Sequence, residues 1–113
     1  MTQIKRGEIW LANLSPTIGR EQSGTRPVLI LSSNYFNKGF ADLVYAVPLT
    51  SKNRNIRSHI MVKPPEGGLN MESFIMCEAM RSISKQRLTQ WIGDISATTI
   101  IKVEETLKIL LDL

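Results

Sequence analysis

Two residues at the ends of short apolar strands have side chains that can bind a phosphate. Arg26 stands before Pro27 in "SGTRPVLILSS", and Thr50 ends the run "LVYAVPLT". An arginine and a hydroxyl can hold a phosphate group through charge-assisted hydrogen bonds. The same pair suits the extra negative charge of a pentacovalent phosphorus, without help from a metal ion. Exposed arginines and strand-end threonines are common, so the pair alone leaves a purely structural role open.

The sequence contains fewer of the residues that other types of reaction require. Metal hydrolysis requires clustered carboxylates or His and Cys ligands, whereas Asp42, Asp94 and Asp112 are isolated along the chain. The single histidine, His59, alternates with apolar neighbours, which favours a half-buried structural role over catalysis. Cys77, the one cysteine, lies in the apolar run "FIMCEAM" and is interpreted as an inert buried thiol. We therefore expect neither a metal site nor a cofactor.

Length and charge restrict the class of protein. A chain of 113 residues is expected to form a single domain, residues 1–113. Its 14 Lys and Arg outnumber its 10 Asp and Glu, and the net charge of +4 favours an anionic partner such as nucleic acid. No apolar run approaches the ~20 residues that span a bilayer, and the N-terminus lacks the apolar core of a secretory signal. We expect a cytoplasmic protein.

Six short apolar runs, separated by polar turns, predict the strands that position these residues. They cover residues 8–14, 27–33, 43–50, 58–64, 73–83 and, more weakly, 88–95. Such spacing is typical of a small barrel or sandwich. After Ser96, an expected N-cap, the chain places Ile100, Val103, Leu107 and Leu110 on one helical stripe. The sequence predicts a mainly β fold with one C-terminal helix packed against it.

The loops next to the strands carry most of the polar residues. In the loop of residues 15–26, Gly24 permits a tight bend. Pro27 biases Arg26 toward an extended conformation that directs its side chain out of the sheet. The segment "SKNRNIR", residues 51–57, contains three cations and no acid. The Pro/Gly-rich segment "KPPEGGLN", residues 63–70, is expected to be a mobile turn.

The stretch "RGEIWLANLSPTIGREQSGTRPVLILS" resembles the opening of the MazF/PemK family, the toxin halves of bacterial toxin–antitoxin pairs. That family begins with an R-G-[DE]-[IV] strand, followed by P-T-x-G-x-E-Q-x-G-x-R-P before an apolar strand. Further matches are the T-S-K at residues 50–52 and the strand followed by I-x-K-x-R-L within residues 73–88. The resemblance covers nearly the whole chain. One position departs from it, because Ala79 stands where the family usually has Gln.

The resemblance implies an SH3-like small β-barrel of the MazF/PemK/CcdB type that forms a homodimer, with an RNA groove along the subunit interface. It also implies a sequence-specific, metal-independent endoribonuclease toxin that cleaves single-stranded mRNA and thereby inhibits translation and growth. In this family the RNA's own 2′-OH is the nucleophile, which gives 2′,3′-cyclic phosphate and 5′-OH ends. A cognate antitoxin, expected to be acidic and partly disordered, would neutralise the toxin.

By motif match, Arg26 and Thr50 take the catalytic positions. Arg26 would stabilise the transition state and protonate the leaving 5′-oxygen, and Thr50 would hold a non-bridging phosphate oxygen. Glu21 is expected to be the general base or to orient Arg26, with a plain surface carboxylate as the alternative. RNA contacts are expected from Gln22, Ser23, Gly24, Thr25, Ser51, Lys52, Arg54, Arg57 and Arg81. For the three cations of residues 52–57, a solvated loop is the other interpretation.

Two other functions remain open at this stage. The CcdB toxins share the barrel but poison DNA gyrase by binding it; the Arg26 and Thr50 pair and the E-Q-x-G-x-R-P loop favour the nuclease. The third possibility is a family member that binds RNA or a partner without cutting. Ala79 keeps this possibility open because it departs from the family pattern. Tyr35, Phe36 and Phe40 either stack on unpaired bases or belong to the core.

Overall fold

The computed structural model describes residues 3–15 and 24–113. Its strands are β1 (Glu8–Asn13), β2 (Thr25–Ile30), β3 (Leu43–Thr50), β4 (His59–Val62), β5 (Ser73–Met76), β6 (Arg81–Ser84) and β7 (Leu88–Asp94). Its helices are the short α1 (Asn34–Asn37), which the sequence pattern did not predict, and the C-terminal α2 (Ala97–Leu111). A mainly β protein with one long C-terminal helix is therefore confirmed. No helix within the described ranges is long and apolar enough to cross a membrane.

The strands form one antiparallel arrangement in the order β4-β5-β3-β2-β1-β7, and β6 is an additional partner of β3. The pairing of β2 with β3 sets Val28 against Pro48 and Ile30 against Ala46. On the other side of β2, Trp10 of β1 lies opposite Val28. Within the described residues no pairing joins β4 to β7, so the predicted barrel is open along that seam.

The predicted strand over residues 73–83 is two strands, and this prediction was wrong in that respect. On β3, Leu49 pairs with Ile75, and Ala46 pairs with Arg81. The two β3 residues are three positions apart, whereas their partners are six positions apart. A single 3₁₀ turn, Cys77–Ala79, takes up the extra residues. Its first amide, that of Cys77, donates to the Ser58 carbonyl oxygen at 3.1 Å. Both strands therefore pair with the same edge of β3, one after the other.

The sheet is packed on both faces, which explains the continuous apolar run of β2. Leu29 is fully buried in a cluster that includes Ile75 and, from α2, Val103. Its neighbours Val28 and Ile30 point to the opposite face, where they join a second cluster that includes Trp10, Val44 and Ile83. Alternating side chains of one strand thus fill two cores, as expected for a strand buried on both faces.

Helix α2 begins at the predicted cap, since the Ser96 hydroxyl accepts from the Thr99 amide at 3.2 Å. Val103 and Leu107 are buried under the helix as predicted. Leu110, which the pattern predicts on the same buried stripe, is 46% exposed. The last turn of α2 therefore extends beyond the packed face.

The segment between β4 and β5, which the sequence predicts to be a mobile turn, is packed against β7 and the start of α2. A Cβ added to Gly68 would lie 2.2 Å from the Ile92 carbonyl oxygen, and one added to Gly93 would lie 2.6 Å from the Gly68 nitrogen. The Glu66 carboxylate accepts from the Ser96 amide at 3.0 Å and from the Thr99 hydroxyl at 2.6 Å. This turn is thus bound to β7 and to the start of α2.

Candidate active site

The pairing of β2 with β3 brings Arg26 and Thr50 to the same end of the sheet. Arg26 stands two residues before Val28, and Thr50 stands two residues after the Pro48 that pairs with Val28. The Arg26 guanidinium crosses to the neighbouring strand, where Nη1 donates to the carbonyl oxygen of Leu49 at 3.2 Å. Arg26 is half-buried rather than on the open surface, so its head group is held beside the end of β3.

Both side chains line one cleft of about 380 Å³. Its lining residues are Thr25, Arg26, Pro27, Leu49, Thr50, Ser51, Lys52, Leu69, Asn70, Met71 and Ser73. The volume lies within the roughly 300–1,000 Å³ usual for ligand pockets. The fold thereby brings together five residues singled out from the sequence, although they come from two separate segments of the chain: Thr25, Arg26, Thr50, Ser51 and Lys52.

The local geometry leaves the Thr50 hydroxyl ready to donate a hydrogen bond. Its oxygen accepts from the backbone amide of Lys52 at 3.2 Å, and within the described residues its hydrogen has no acceptor. A hydroxyl can donate one hydrogen bond while it accepts others. Thr50 can therefore donate to a phosphate oxygen without giving up the contact that fixes its position.

The charges in the cleft suit a phosphodiester. Arg26 contributes a guanidinium to the lining and Lys52 an ammonium, and no carboxylate belongs to the described lining. Guanidinium groups bind phosphate oxygens in a planar fork, whereas an ammonium acts as a compact point charge. The arrangement can bind an anionic backbone and stabilise added negative charge at phosphorus.

Part of the predicted site lies outside the described residues, namely Glu21, Gln22 and Ser23. The glycine that follows them is described, and Gly24 has φ of 77°, the left-handed conformation that favours glycine. Its amide donates to the Ser15 hydroxyl at 2.9 Å. The two ends of the loop are thus tied together immediately before Thr25 and Arg26, which supports the expected tight bend.

Other predicted RNA-contacting residues do not line the cleft. Arg54 and Arg57 are exposed on the segment between β3 and β4, beyond Lys52. Arg81 is half-buried on β6, where it pairs with Ala46 at the other half of β3. Ala79, the departure from the family pattern, is the last residue of the turn before β6 and also lies outside the cleft lining.

The aromatic residues around α1 form a separate surface. Tyr35 is 89% exposed and Phe40 fully exposed, so the core interpretation is wrong for both. Phe36 is half-buried and stacks on Tyr45, with ring centroids 5.3 Å apart. None of these residues lines the cleft that contains Arg26.

His59 and Cys77 are packed on the side of the sheet that carries α2 and its neighbouring turn. The His59 side chain is 3% exposed, and its Nε2 lies 2.8 Å from Glu78 Oε2. Burial would raise the pKa of Glu78, but hydrogen bonds from Ser58 and His59 outweigh it and lower the pKa. Burial and the Glu78 charge raise the pKa of Cys77 to about 11, so its thiol is protonated and inert. Among the described residues no three His, Cys, Asp or Glu side chains could together hold a metal ion.

Sequence reasoning missed Leu69, Asn70 and Met71, which form the cleft wall that follows the Gly-Gly turn. They reach the cleft because β5 pairs with the end of β3, where Phe74 lies opposite Thr50. This pairing is long-range, and no short motif marks it. The available signal was the polar turn directly before a strand of high β propensity, which places that turn at a sheet edge.

Three comparisons with known proteins show which proteins this chain is similar to. Residues 5–111 match the family described as PemK-like, MazF-like toxin of type II toxin–antitoxin system. Endoribonuclease EndoA of Bacillus subtilis (strain 168) is 34% identical over 111 residues, which cover 97% of this chain and 96% of that protein. MazF from Deinococcus radiodurans superposes with a TM-score of 0.90 at 24% identity and 100% coverage of both chains. An endoribonuclease from a mycobacterial species, solved with its cognate antitoxin, has a TM-score of 0.78 at 22% identity, covering 100% and 97% of the two chains.

Proposed function

The chain belongs to the PemK-like, MazF-like toxins of type II toxin–antitoxin systems, and from that premise we propose that its Arg26–Thr50 cleft cleaves single-stranded RNA. The activity is that of an endoribonuclease, as in the EndoA relative. The observation that carries the assignment of the site is the cleft itself, which joins a half-buried guanidinium, a donating hydroxyl and an ammonium at the end of two paired strands. The gyrase-binding alternative is not favoured, because the family match is to PemK-like and MazF-like toxins and the EndoA relative is named an endoribonuclease.

The reaction is a transesterification within the RNA. The 2′-oxygen forms a bond to phosphorus, the bond from phosphorus to the 5′-oxygen breaks, and the products carry a 2′,3′-cyclic phosphate and a 5′-OH. Arg26 offsets the negative charge of the pentacovalent phosphorus, and the Thr50 hydroxyl donates to a non-bridging oxygen. No metal ion is required, because fixed cations of the chain supply the positive charge.

Two protons move in this reaction. Glu21, which lies outside the described residues, accepts the proton that the 2′-OH loses. Arg26 donates the proton that the leaving 5′-oxygen gains. The direction of these transfers follows from the bonds that form and break. Lys52, Arg54 and Arg57 hold the phosphates that continue along the strand, and Arg81 contacts RNA farther from the cut.

The partners follow from the family and from the exposed surface. A cognate antitoxin, acidic where it covers this basic surface, neutralises the toxin by competing with RNA. A second copy of the chain completes a homodimer, since large apolar side chains lie exposed at the end of α2, where Ile109 is 81% and Leu113 86% exposed. The location we propose is the cytoplasm, where mRNA is translated.

The proposed activity is tested with purified protein and long single-stranded RNA in EDTA. Discrete cuts are expected, with cyclic phosphate and 5′-OH ends, and the variant Arg26→Ala is expected to leave the RNA intact. A short RNA with a single 2′-deoxy nucleotide on the 5′ side of a mapped cut should resist cleavage there and at no other site.

Each outcome bears on a different part of the proposal. Intact RNA with folded wild-type protein would contradict the ribonuclease assignment. Cutting of the deoxy-substituted RNA would point to attack by water rather than by the 2′-OH. Cutting by Arg26→Ala at the wild-type rate would remove the cleft from the mechanism.

A further inference from the structure

The cleft has a second wall that the phosphate chemistry does not use. Leu69, Asn70 and Met71 come from the turn that precedes β5 and face the same cleft as Arg26 and Thr50. Asn70 is exposed, and Met71 is 56% exposed. A nucleotide whose phosphate was held by Arg26 and Thr50 would lie beside these side chains, because they line the same cleft.

The wall is held firmly by contacts on its protein side. Leu69 is 8% exposed and belongs to the main core cluster. The Ser73 hydroxyl donates to the Met71 carbonyl oxygen at 3.1 Å, which fixes the chain immediately before β5. The Gly68 backbone lies against Ile92 so closely that a side chain at Gly68 would collide with its carbonyl oxygen. Binding of a ligand here therefore costs little free energy for ordering the wall, because the backbone of the wall is already fixed.

The chemistry of the wall differs from that of the catalytic pair. Contacts to phosphate position a nucleic acid but carry no information about its sequence, which is read at base edges. The Asn70 amide offers a donor and an acceptor side by side, and among the described residues it makes no hydrogen bond. On the edge that carries N7, adenine presents an acceptor and a donor that match this amide, whereas guanine presents two acceptors and a pyrimidine has no N7. The Watson–Crick edges, which single-stranded RNA also exposes, distinguish the bases less well for an amide. The Met71 thioether is a polarizable, adaptable surface for the face of a base.

We propose that Asn70 and Met71 select the base next to the scissile phosphate, with adenine preferred: Asn70 binds its edge and Met71 packs on its face. This inference rests on the proposed ribonuclease function. It assigns recognition at this position to the turn before β5, whereas cleavage belongs to the ends of β2 and β3.

The experiment is cleavage of an RNA library randomised over one short window, with sequencing of the cut ends. Four proteins are compared, namely wild type, Asn70→Ala, Asn70→Leu and the control Gln90→Ala, which removes an exposed amide from β7 away from the cleft. Asn70→Leu keeps the approximate size of the side chain but removes both its donor and its acceptor, and it adds no charge to the cleft. We expect wild type and Gln90→Ala to prefer adenine at one position flanking the cut. Both Asn70 variants should lose roughly 5- to 100-fold of that preference relative to wild type and to Gln90→Ala. Met71→Ala should reduce the preference for adenine at the same position.

Two results would overturn the inference, and they differ from failure of the proposed function. An unchanged preference profile in both Asn70 variants would remove Asn70 from recognition while leaving the nuclease in place. A wild-type profile without adenine at either flanking position would contradict the predicted base. Intact library RNA with wild-type protein would instead remove the ribonuclease assignment itself, and this inference with it.

Discussion

The Arg26 guanidinium donates a hydrogen bond from Nη1 to the carbonyl oxygen of Leu49, at 3.2 Å, and Leu49 is the residue directly before Thr50. The cation on β2 is therefore attached to the backbone that carries the hydroxyl on β3. The contact fixes the guanidinium relative to Thr50 before any ligand binds. A guanidinium held in place before the ligand arrives is the kind of preorganisation that charge stabilisation requires.

The first prediction concerns the hydroxyl of Thr50. Thr50→Val retains the shape of the side chain but removes its donor, so we expect cleavage to fall by about 10²–10³-fold. Thr50→Ser retains the donor and should keep most of the activity. Single-turnover rates on one RNA would measure both. Equal loss in the two variants would indicate a packing role instead of a bond to phosphate.

The second prediction concerns the cations of the segment between β3 and β4. Binding of an uncleavable 2′-deoxy-substituted RNA should weaken steeply as salt rises, because bound phosphates release counterions. Replacing Lys52, Arg54 and Arg57 with Ala should make the slope of log affinity against log salt shallower by about 2. A matched triple variant of Lys63, Lys102 and Lys108 removes the same charge elsewhere in the described structure. If both triple variants changed the slope equally, only net charge would matter.

The third prediction concerns the carboxylate that binds the start of α2. Burial alone would raise the pKa of Glu66, but hydrogen bonds from Thr99 and Ser96 outweigh it and lower the pKa below its ordinary value of 4.5. The ionised carboxylate therefore stabilises the fold above pH 4.5, and this contribution is lost as the pH falls through the lowered value. Glu66→Gln should reduce the free energy of unfolding by about 1 kcal/mol at neutral pH.

Urea denaturation at pH 7 and near pH 3 would measure this loss. The difference between wild type and Glu66→Gln should shrink at the acidic pH, because the wild-type carboxyl is then becoming protonated. Glu105→Gln, on the exposed side of α2, is the control and should change little at either pH. A loss of the same size at both pH values would show that the charge of Glu66 is not what binds the helix.

The fourth prediction concerns Cys77. Its thiol is 1% exposed, and burial together with the Glu78 charge raises its pKa to about 11. Iodoacetamide at pH 7.5 should leave the native protein unmodified and should alkylate the urea-unfolded protein, as mass spectrometry would show. Cys77→Ala should cleave RNA at the wild-type rate. Rapid labelling of the folded protein would contradict the buried position of this residue.

Much of the architecture could be predicted because its signals are local. The apolar runs of β1 to β4 predict strands, and the run from Ser96 onward predicts a capped helix. Arg26 and Thr50 could be paired in advance because both stand where a strand begins or ends. Their approach is fixed by antiparallel pairing of neighbouring strands, the most common arrangement of consecutive elements.

What could not be predicted depends on contacts between distant parts of the chain. The split between β5 and β6 follows from the bond of the Cys77 amide to the Ser58 carbonyl, 19 residues earlier in sequence. Asn70 and Met71 reach the cleft only through the pairing of β5 with β3. The open seam between β4 and β7 likewise depends on the whole sheet and not on any one strand.

The turn before β5 is bound to β7 and to the start of α2, which are among the last parts of the chain to be synthesised. One wall of the cleft is supported by Ile92 and Gly93 on β7, and Glu66 within the same turn is held by Ser96 and Thr99. A chain still on the ribosome carries Arg26 and Thr50 long before it carries these supports. The cleft wall that follows Gly68 therefore gains these supports only when synthesis of the chain is nearly finished.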